Sequence, residues 1–274
     1  MGTGAVRALI RKARQALWAL NGILGSQVAV APPHKATVLI TYFSPARATH
    51  IEPQIRNILK CSFVERVIVS SHNPALGFES LARCRDPRLT CVRQSVARGC
   101  GYRWQVAAEY DPEYLIVVDD DLQLFSWQLA RLFEHLVAEP SVPHGLAGML
   151  LEADKQLRYQ ERRETPVDFL CEIYAVTRDH LRKFQQLRAL LAANKTLADI
   201  VESMGDFVVI SSAGSGRPKI HDVGRVFRCP TFNQQGIAVH KDKGFEQKIL
   251  QLAAVVNDIR SHLGERDSAA AILK

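Results

Sequence analysis

Apolar and polar positions change rhythm along this chain. Between residues 37 and 118, four short runs rich in β-branched and aliphatic residues (37–42, 66–70, 89–92 and 114–118) alternate with segments whose apolar positions recur at helical spacing (49–60, 76–84 and 102–110). The resulting βαβαβαβ order predicts an α/β fold with a mostly parallel central sheet flanked by helices. Ligands of such sheets collect at the carboxyl ends of the strands. Further on, the pattern predicts a helix over 126–139, ending before Pro140, and a strand over 145–151. Residues 152–166 are polar without a core pattern and read as a surface loop. A strand over 167–176 and a helix over 178–193 follow. Residues 197–201 open another helix, while 207–211 and 217–222 read as extended, joined by a flexible loop at 211–216. The last helix begins after Gly244.

At the amino end, Val6, Leu9, Ile10, Ala13, Leu17, Leu20 and Leu24 recur at helical spacing beside Arg7, Arg11, Lys12, Arg14 and Trp18. Such a basic amphipathic helix either lies on an anionic membrane surface or packs on its own domain or a partner chain. Residues 1–30 are therefore expected to form a helix and linker, with Ala31, Pro32 and Pro33 stiffening the connection. A single domain spans 31–274.

Composition narrows this picture. At 274 residues, 47% hydrophobic and 23% charged, the chain is ordinary for a globular protein, and disordered or collagen-like classes are excluded. A formal charge of +7 favours anionic partners without choosing among nucleotide phosphates, anionic lipid and nucleic acid. The six cysteines are scattered, with no C-x-x-C pair, which argues against a zinc cluster or disulfide framework and for reduced thiols. No stretch approaches the roughly 18 apolar residues that span a bilayer, and no leader is visible. A cytoplasmic protein, peripheral on the inner membrane face through residues 1–25, is the expectation.

Chemistry concentrates at Leu115-Ile116-Val117-Val118-Asp119-Asp120-Asp121, where a buried strand ends in three carboxylates. Buried carboxylates are costly unless paired with cations, and residues i and i+2 of an extended chain share a side. Asp119 and Asp121 can thus face one hard cation and the phosphates it carries. No G-x-x-x-x-G-K-S/T loop occurs, and Gly99-Cys100-Gly101 lacks the third glycine of the dinucleotide motif, which removes the kinase and dehydrogenase classes.

Taken in order, these segments resemble the nucleotide-sugar glycosyltransferases of the A-type fold, and within them the exostosin-like C-terminal transferase domain. Leu39-Ile40-Thr41-Tyr42 stands where that family has T-Y-N-R, continuing here as Phe43-Ser44-Pro45-Ala46-Arg47. Val67 to Asn73 resembles the second strand ending in W-N-N, Arg103-Trp104-Gln105-Val106 the R-L-Q-V stretch, and Val117 to Asp121 the V-D-D-D metal motif. Ala198-Asp199-Ile200 resembles the E-D-I motif without its first acid. Gly236 to His240, followed by Lys248, resembles a segment carrying histidine and a catalytic arginine.

The resemblance implies transfer of a sugar from a nucleoside diphosphate, UDP foremost, to a glycan or glycolipid acceptor, with Mn2+ or Mg2+ as cofactor, a nucleotide half over about 37–121 and an acceptor half over about 122–265. Asp121, Asp119 and His240 would serve the metal, while Asp119 and Asp120 would also support the ribose or metal shell. Tyr42, Arg47, Asn73 and Arg103 would contact the donor. Lys248 would meet diphosphate charge as it develops, and Asp199 would face the acceptor hydroxyl or act as its base. The exostosin-like family retains anomeric configuration, whereas a large neighbouring family of similar fold inverts it, and one aspartate does not decide between them. A sugar-phosphate nucleotidyltransferase would carry a glycine-rich loop after the first strand, and residues 43–49 hold no glycine. The remaining alternative is a non-catalytic polyanion-binding protein with a degenerate transferase fold; nucleic acid is not the expected partner.

Overall fold

The computed structural model describes residues 3–31, 34–78 and 83–272. Its core is laid down by β1 (Ala36–Tyr42), β2 (Val64–Ser71), β3 (Leu89–Arg93) and β4 (Tyr114–Asp119), all parallel, in the order β3-β2-β1-β4. These strands alternate strictly. Val38, Ile40, Ile116 and Val118 face one layer, whereas Leu39, Leu115 and Val117 face the other, and all are fully buried. Helices α1 (Thr3–Leu24) and α2 (Ala48–Leu59) precede α3 (Arg103–Ala108). The first layer is packed by α2 through Ile51 and Ile55 and by α4 (Ser126–Ala138) through Leu129 and Phe133. The second holds Trp104 of α3 and Phe184 of α5 (Arg178–Leu191). Each buried aliphatic side chain contributes about 1.5–3 kcal/mol, so this half of the sheet is held by apolar burial.

The second half is built from shorter pieces. In chain order these are β5 (Leu122–Gln123), β6 (His144–Gly145), β7 (Ala147–Leu151), β8 (Leu157–Glu161), β9 (Thr165–Pro166), β10 (Phe169–Cys171), β11 (Ile173–Thr177), β12 (Lys219–Ile220) and β13 (Phe227–Arg228). The main sheet continues from β4 as β11-β6-β12-β9, with β11 antiparallel to β4. A second sheet has the order β10-β7-β8, and β13 pairs with β5. Helices α6 (Lys195–Ile200) and α7 (Asp206–Ser211) are joined by a π turn over Val201–Gly205, and α8 (Phe245–Ile272) closes the chain.

Four sequence expectations change. The stretch 167–176 is two strands, because Glu172 at φ 68° turns the chain between β10 and β11. The polar stretch 152–166 is not a loop throughout: β8 pairs antiparallel with β7. Residues 207–211 are helical instead of extended, since Val208, Val209 and Ile210 are buried on every side and a short apolar run has no period to separate helix from strand. Of 217–222, only Lys219–Ile220 is strand. The helix expected over 76–84 runs into residues 79–82, and the Pro32-Pro33 link also lies outside the described residues.

Helix α1 packs on the domain with one face and leaves another bare. Trp18 is buried and its indole N–H donates to the Leu124 carbonyl (2.8 Å), while Asn57 donates to the Trp18 carbonyl (2.9 Å). Leu9, Leu17, Leu20, Ile23 and Leu24 remain exposed, Leu24 at 78%. No helix among the described residues is long and apolar enough to cross a membrane.

Candidate functional site

Thr41 on β1 sits opposite Asp119 on β4, and Tyr42 opposite Ser71 on β2, so three parallel strands end side by side. A cavity of about 1070 Å³ opens at that edge. Its floor is Thr41, Tyr42, His72 and Asp119 to Asp121; its walls come from the 98–103 loop, the π turn with Asp206 and Phe207, and the 232–247 stretch. Gly99 and Gly101 let the loop and the turn meet. A Cβ on Gly101 would stand 2.2 Å from the Val201 carbonyl oxygen, and one on Gly99 2.1 Å from that of Glu202.

Strand alternation distributes the carboxylates. Asp119 falls on the α3 side, where Arg103 Nη1 donates to its Oδ1 at 2.6 Å. The same guanidinium donates through Nε to Asp206 Oδ2 (2.7 Å), which also accepts from the Trp104 indole (2.6 Å). Asp120 falls on the α2 side. There Arg47 Nη1 reaches Asp120 Oδ1 at 2.5 Å and Asp121 Oδ2 at 2.9 Å, and its Nε donates to Thr231 Oγ1 at 3.2 Å. The side chain of Gln54 fastens the turn, donating to the Asp119 carbonyl at 2.9 Å and to that of Leu122 at 3.3 Å. The backbone N–H of Cys229 donates to the Asp121 carbonyl at 2.8 Å.

Two arginines do not balance this charge. Burial and the neighbouring Asp119 push the Asp121 carboxyl well above the usual carboxylate range, and burial pushes Asp120 up to about 6. Asp119 is raised too, again chiefly by burial. Asp121 Oδ1 is buried and has no hydrogen-bond partner. An orphaned carboxylate oxygen beside a second carboxylate fits a hard divalent cation.

Of the residues singled out from sequence, Tyr42, Arg47, Arg103, Asp119, Asp120, Asp121 and His240 all line the cavity. His240 pairs through Nε2 with Asn233 Oδ1 at 3.0 Å, which leaves Nδ1 as its ligand atom; burial and the charges of Lys241 and Arg47 lower its pKa. Three residues lie elsewhere. Asn73 is a turn residue that donates to the Phe43 carbonyl (3.0 Å) and accepts from the Ala75 N–H (3.0 Å). Asp199 is exposed on α6, outside the cavity wall, and the acid that this helical segment turns inward is Asp206, buried to 1%. Lys248 is exposed on α8, one residue past the lining residues Phe245, Glu246 and Gln247.

Sequence reasoning passed over Asp206 and Glu172. Glu172 is buried, accepts from Arg228 Nε (3.0 and 2.9 Å) and from the Tyr159 hydroxyl (2.8 Å), and its carbonyl accepts from the Asp119 N–H at 2.9 Å. Burial raises its pKa despite Arg228. Its signal was a lone charge inside an apolar run, a position that needs a buried partner. For Asp206 the signal was weaker: an acid heading an apolar stretch, the favoured charge at a helix amino end.

No family model matches the chain, and no curated protein does. Among solved structures it is similar to GalNAc-T7, a glycosyltransferase of the A-type fold seen with UDP, GalNAc and Mn2+, at 10% identity and a TM-score of 0.55, over 73% of this chain and 45% of that one. A CMP:2-keto-3-deoxy-manno-octonic acid synthetase complexed with CTP aligns at 14% identity over 56% of this chain and 78% of the other, with a TM-score of 0.40 that carries no weight. The chain thus has the A-type glycosyltransferase fold, and the match spans less than half the length of the GalNAc-T7 chain.

Proposed function

We propose that this protein is a metal-dependent glycosyltransferase that moves a hexosyl or N-acetylhexosaminyl group from a nucleoside diphosphate, UDP, to a glycan or glycolipid acceptor. One observation carries the reading: the unpartnered, buried oxygen of Asp121 beside Asp119, in a large cavity at the carboxyl ends of parallel strands. Asp121 and Asp119 would hold Mn2+ or Mg2+, with His240 Nδ1 as a further donor. When bound, such a cation stabilises the negative charge that builds on a departing diphosphate. Arg47, anchored on Asp120 and Thr231, would leave Asp121 to the cation and offer its guanidinium to phosphate oxygens. Arg103 would orient Asp119 and keep Asp206 neutralised.

His72 favours uridine. Its Nδ1 lies 2.9 Å from the Gly99 carbonyl, which can only accept, so Nδ1 carries the proton. Nε2 is then an acceptor, and it is buried without a partner in the cavity wall. Uracil offers an N3–H donor to such an atom, whereas cytosine offers an acceptor.

The buried acids of the acceptor half, Asp206 and Glu172, are both tied to arginine, so neither is a ready base. This favours retention of configuration, which the exostosin-like resemblance of residues 103–106 and 117–121 implies, and in our reading an oxygen of the leaving diphosphate takes the acceptor proton. Exposed Asp242 also lines the cavity and carries the second reading, in which it serves as base for an inverting transfer. The anomeric proton coupling of the product separates the two.

A lipid-linked acceptor suits α1, whose bare apolar stripe lies beside exposed Arg11 and Lys12 and would rest on an anionic, inner-face membrane surface. Leu17→Glu with Leu20→Glu should then weaken binding to anionic vesicles without shifting the unfolding midpoint.

Calorimetric titration tests the central claim. UDP should bind in the presence of Mn2+ and not in its absence, and CDP about tenfold more weakly or worse. Asp121→Asn should remove the metal dependence and slow transfer roughly a thousandfold while the fold holds. Folded protein that binds no nucleotide would replace this reading with the polyanion-binding one.

A further inference from the structure

In the short-strand half of the sheet, three side chains from separate elements converge outside the cavity. A ring nitrogen of His135 in the last turn of α4, a carboxylate oxygen of Glu164 just ahead of β9 and a ring nitrogen of His221 just after β12 all lie within 4.8 Å of one another. His221 is buried, His135 half-buried and Glu164 exposed.

The proton inventory of this cluster does not close on its own. His144 Nε2 lies 2.8 Å from the Glu139 carbonyl oxygen, which can only accept, so this nitrogen carries hydrogen. In a neutral imidazole, His144 Nδ1 is then an acceptor, and His221 Nε2, 2.8 Å away, must donate to it. That leaves His221 Nδ1 with a lone pair, yet it faces Glu164 Oε2 at 2.6 Å. Two acceptors so close require a cation. The His135 and His221 rings stack at 3.6 Å between centroids and 11° between planes, an arrangement that two imidazolium ions would resist.

We propose that His135, Glu164 and His221 form a binding site for a zinc-class divalent transition ion, distinct from the carboxylate site and independent of the glycosyltransferase reading. Two imidazole nitrogens and one carboxylate oxygen, with water in the fourth position, are a donor set that suits zinc over the oxygen-seeking Mg2+ and Ca2+. Tetrahedral ligands about 2.1 Å from an ion stand about 3.4 Å apart, and stacked rings aim their in-plane lone pairs in parallel, so loading requires the half-buried His135 ring to turn out of the stack as the cluster closes. The His221 to His144 to Glu139 relay is the outer hydrogen-bond chain that fixes the tautomer of a ligating histidine. The ion would fasten α4, β9 and β12 together. It would also pin the start of the 221–229 stretch, whose far end holds the Asp121 turn through Cys229. Its role is structural.

The test uses the full chain carrying Asp121→Asn, so that the carboxylate site drops out of the count, stripped with chelator and titrated with Zn2+. Co2+ serves as a coloured stand-in. The expected result is one tightly held equivalent of zinc, a tetrahedral Co2+ absorption band and a zinc-dependent rise in unfolding temperature. All three should vanish on adding Glu164→Gln, a surface change that leaves the fold intact by circular dichroism, and on adding His135→Asn. Zinc uptake unchanged by Glu164→Gln would overturn the proposal. So would an absence of uptake in the stripped protein, which would leave a proton on His221 as the missing cation.

Discussion

Strands β1 to β4 run seven, eight, five and six residues, whereas β6, β9 and β12 have two each. The long strands form ladders between two apolar layers, with one register shift between Ala36 and Thr37, and apolar burial holds β1, β2 and β4 in place. The short strands have little ladder to hold them. In their place stand side-chain ties: Arg228 to Glu172, Glu161 and Tyr159, Lys219 to Glu139 at 2.7 Å, and the His144, His221 and Glu164 chain. A sheet can thus be fixed by hydrophobic packing where strands are long and by named polar contacts where they are short. In this molecule the cavity lies on the seam between the two regimes.

Asp206→Asn tests the polar regime most severely. Asparagine keeps an oxygen for the donors Arg103 and Trp104, which share one in the parent, but removes the charge and leaves a buried guanidinium part-compensated, so a loss of about 3–5 kcal/mol is expected in urea unfolding. A loss below about 1 kcal/mol would mean that apolar packing holds the seam as well.

Acid titration probes the long-strand half next. Burial lowers the His72 pKa to about 4 from an ordinary 6.5. The unfolded chain therefore binds a proton that the folded one refuses. This contribution is complete above pH 6.5 and is lost as the pH falls towards 4, on the order of 3 kcal/mol in all. The raised carboxyls of Asp119 to Asp121 work in the opposite sense, so the comparison is with His72→Asn, whose amide can still donate to the Gly99 carbonyl. The variant should lose less stability than the parent between those pH values, and parallel curves would remove His72 from the account.

Gly101→Ala strikes the seam itself. Its new methyl meets backbone and not a movable side chain, and a cost of about 1–3 kcal/mol in thermal unfolding should follow. The smallest effect is reserved for Asp199→Asn. Exposed and away from the cavity, it should change stability and turnover by no more than about 0.5 kcal/mol; a collapse of turnover would return this residue to the acceptor site.

The same contrast decides what the amino-acid sequence disclosed. Strands 37–42, 66–70 and 114–118 were legible because each is a continuous apolar run buried on both faces, and the carboxylates were legible because they interrupt such a run at its end. Arg47 and Arg103 were found through the family resemblance, and the structure brings both to those carboxylates. The stretch 207–211 misled, since four apolar residues in a row carry no period, and Asp206 was hidden with it. Asp199 matched a motif, but the motif says nothing of which face of a helix turns inward. The histidine cluster draws on residues 135, 144, 164 and 221, and no local spacing joins them.

Glu172 illustrates how little freedom such a seam leaves to sequence drift. It combines a backbone twist, φ 68°, that glycine would adopt readily with a buried charge that glycine cannot supply. Glycine would keep the turn and abandon Arg228; glutamine would keep the shape and surrender the charge; a β-branched residue would fail on both counts. Two demands that ordinarily fall on different residues meet at one codon. A saturation library should therefore find position 172 among the least permissive in the chain.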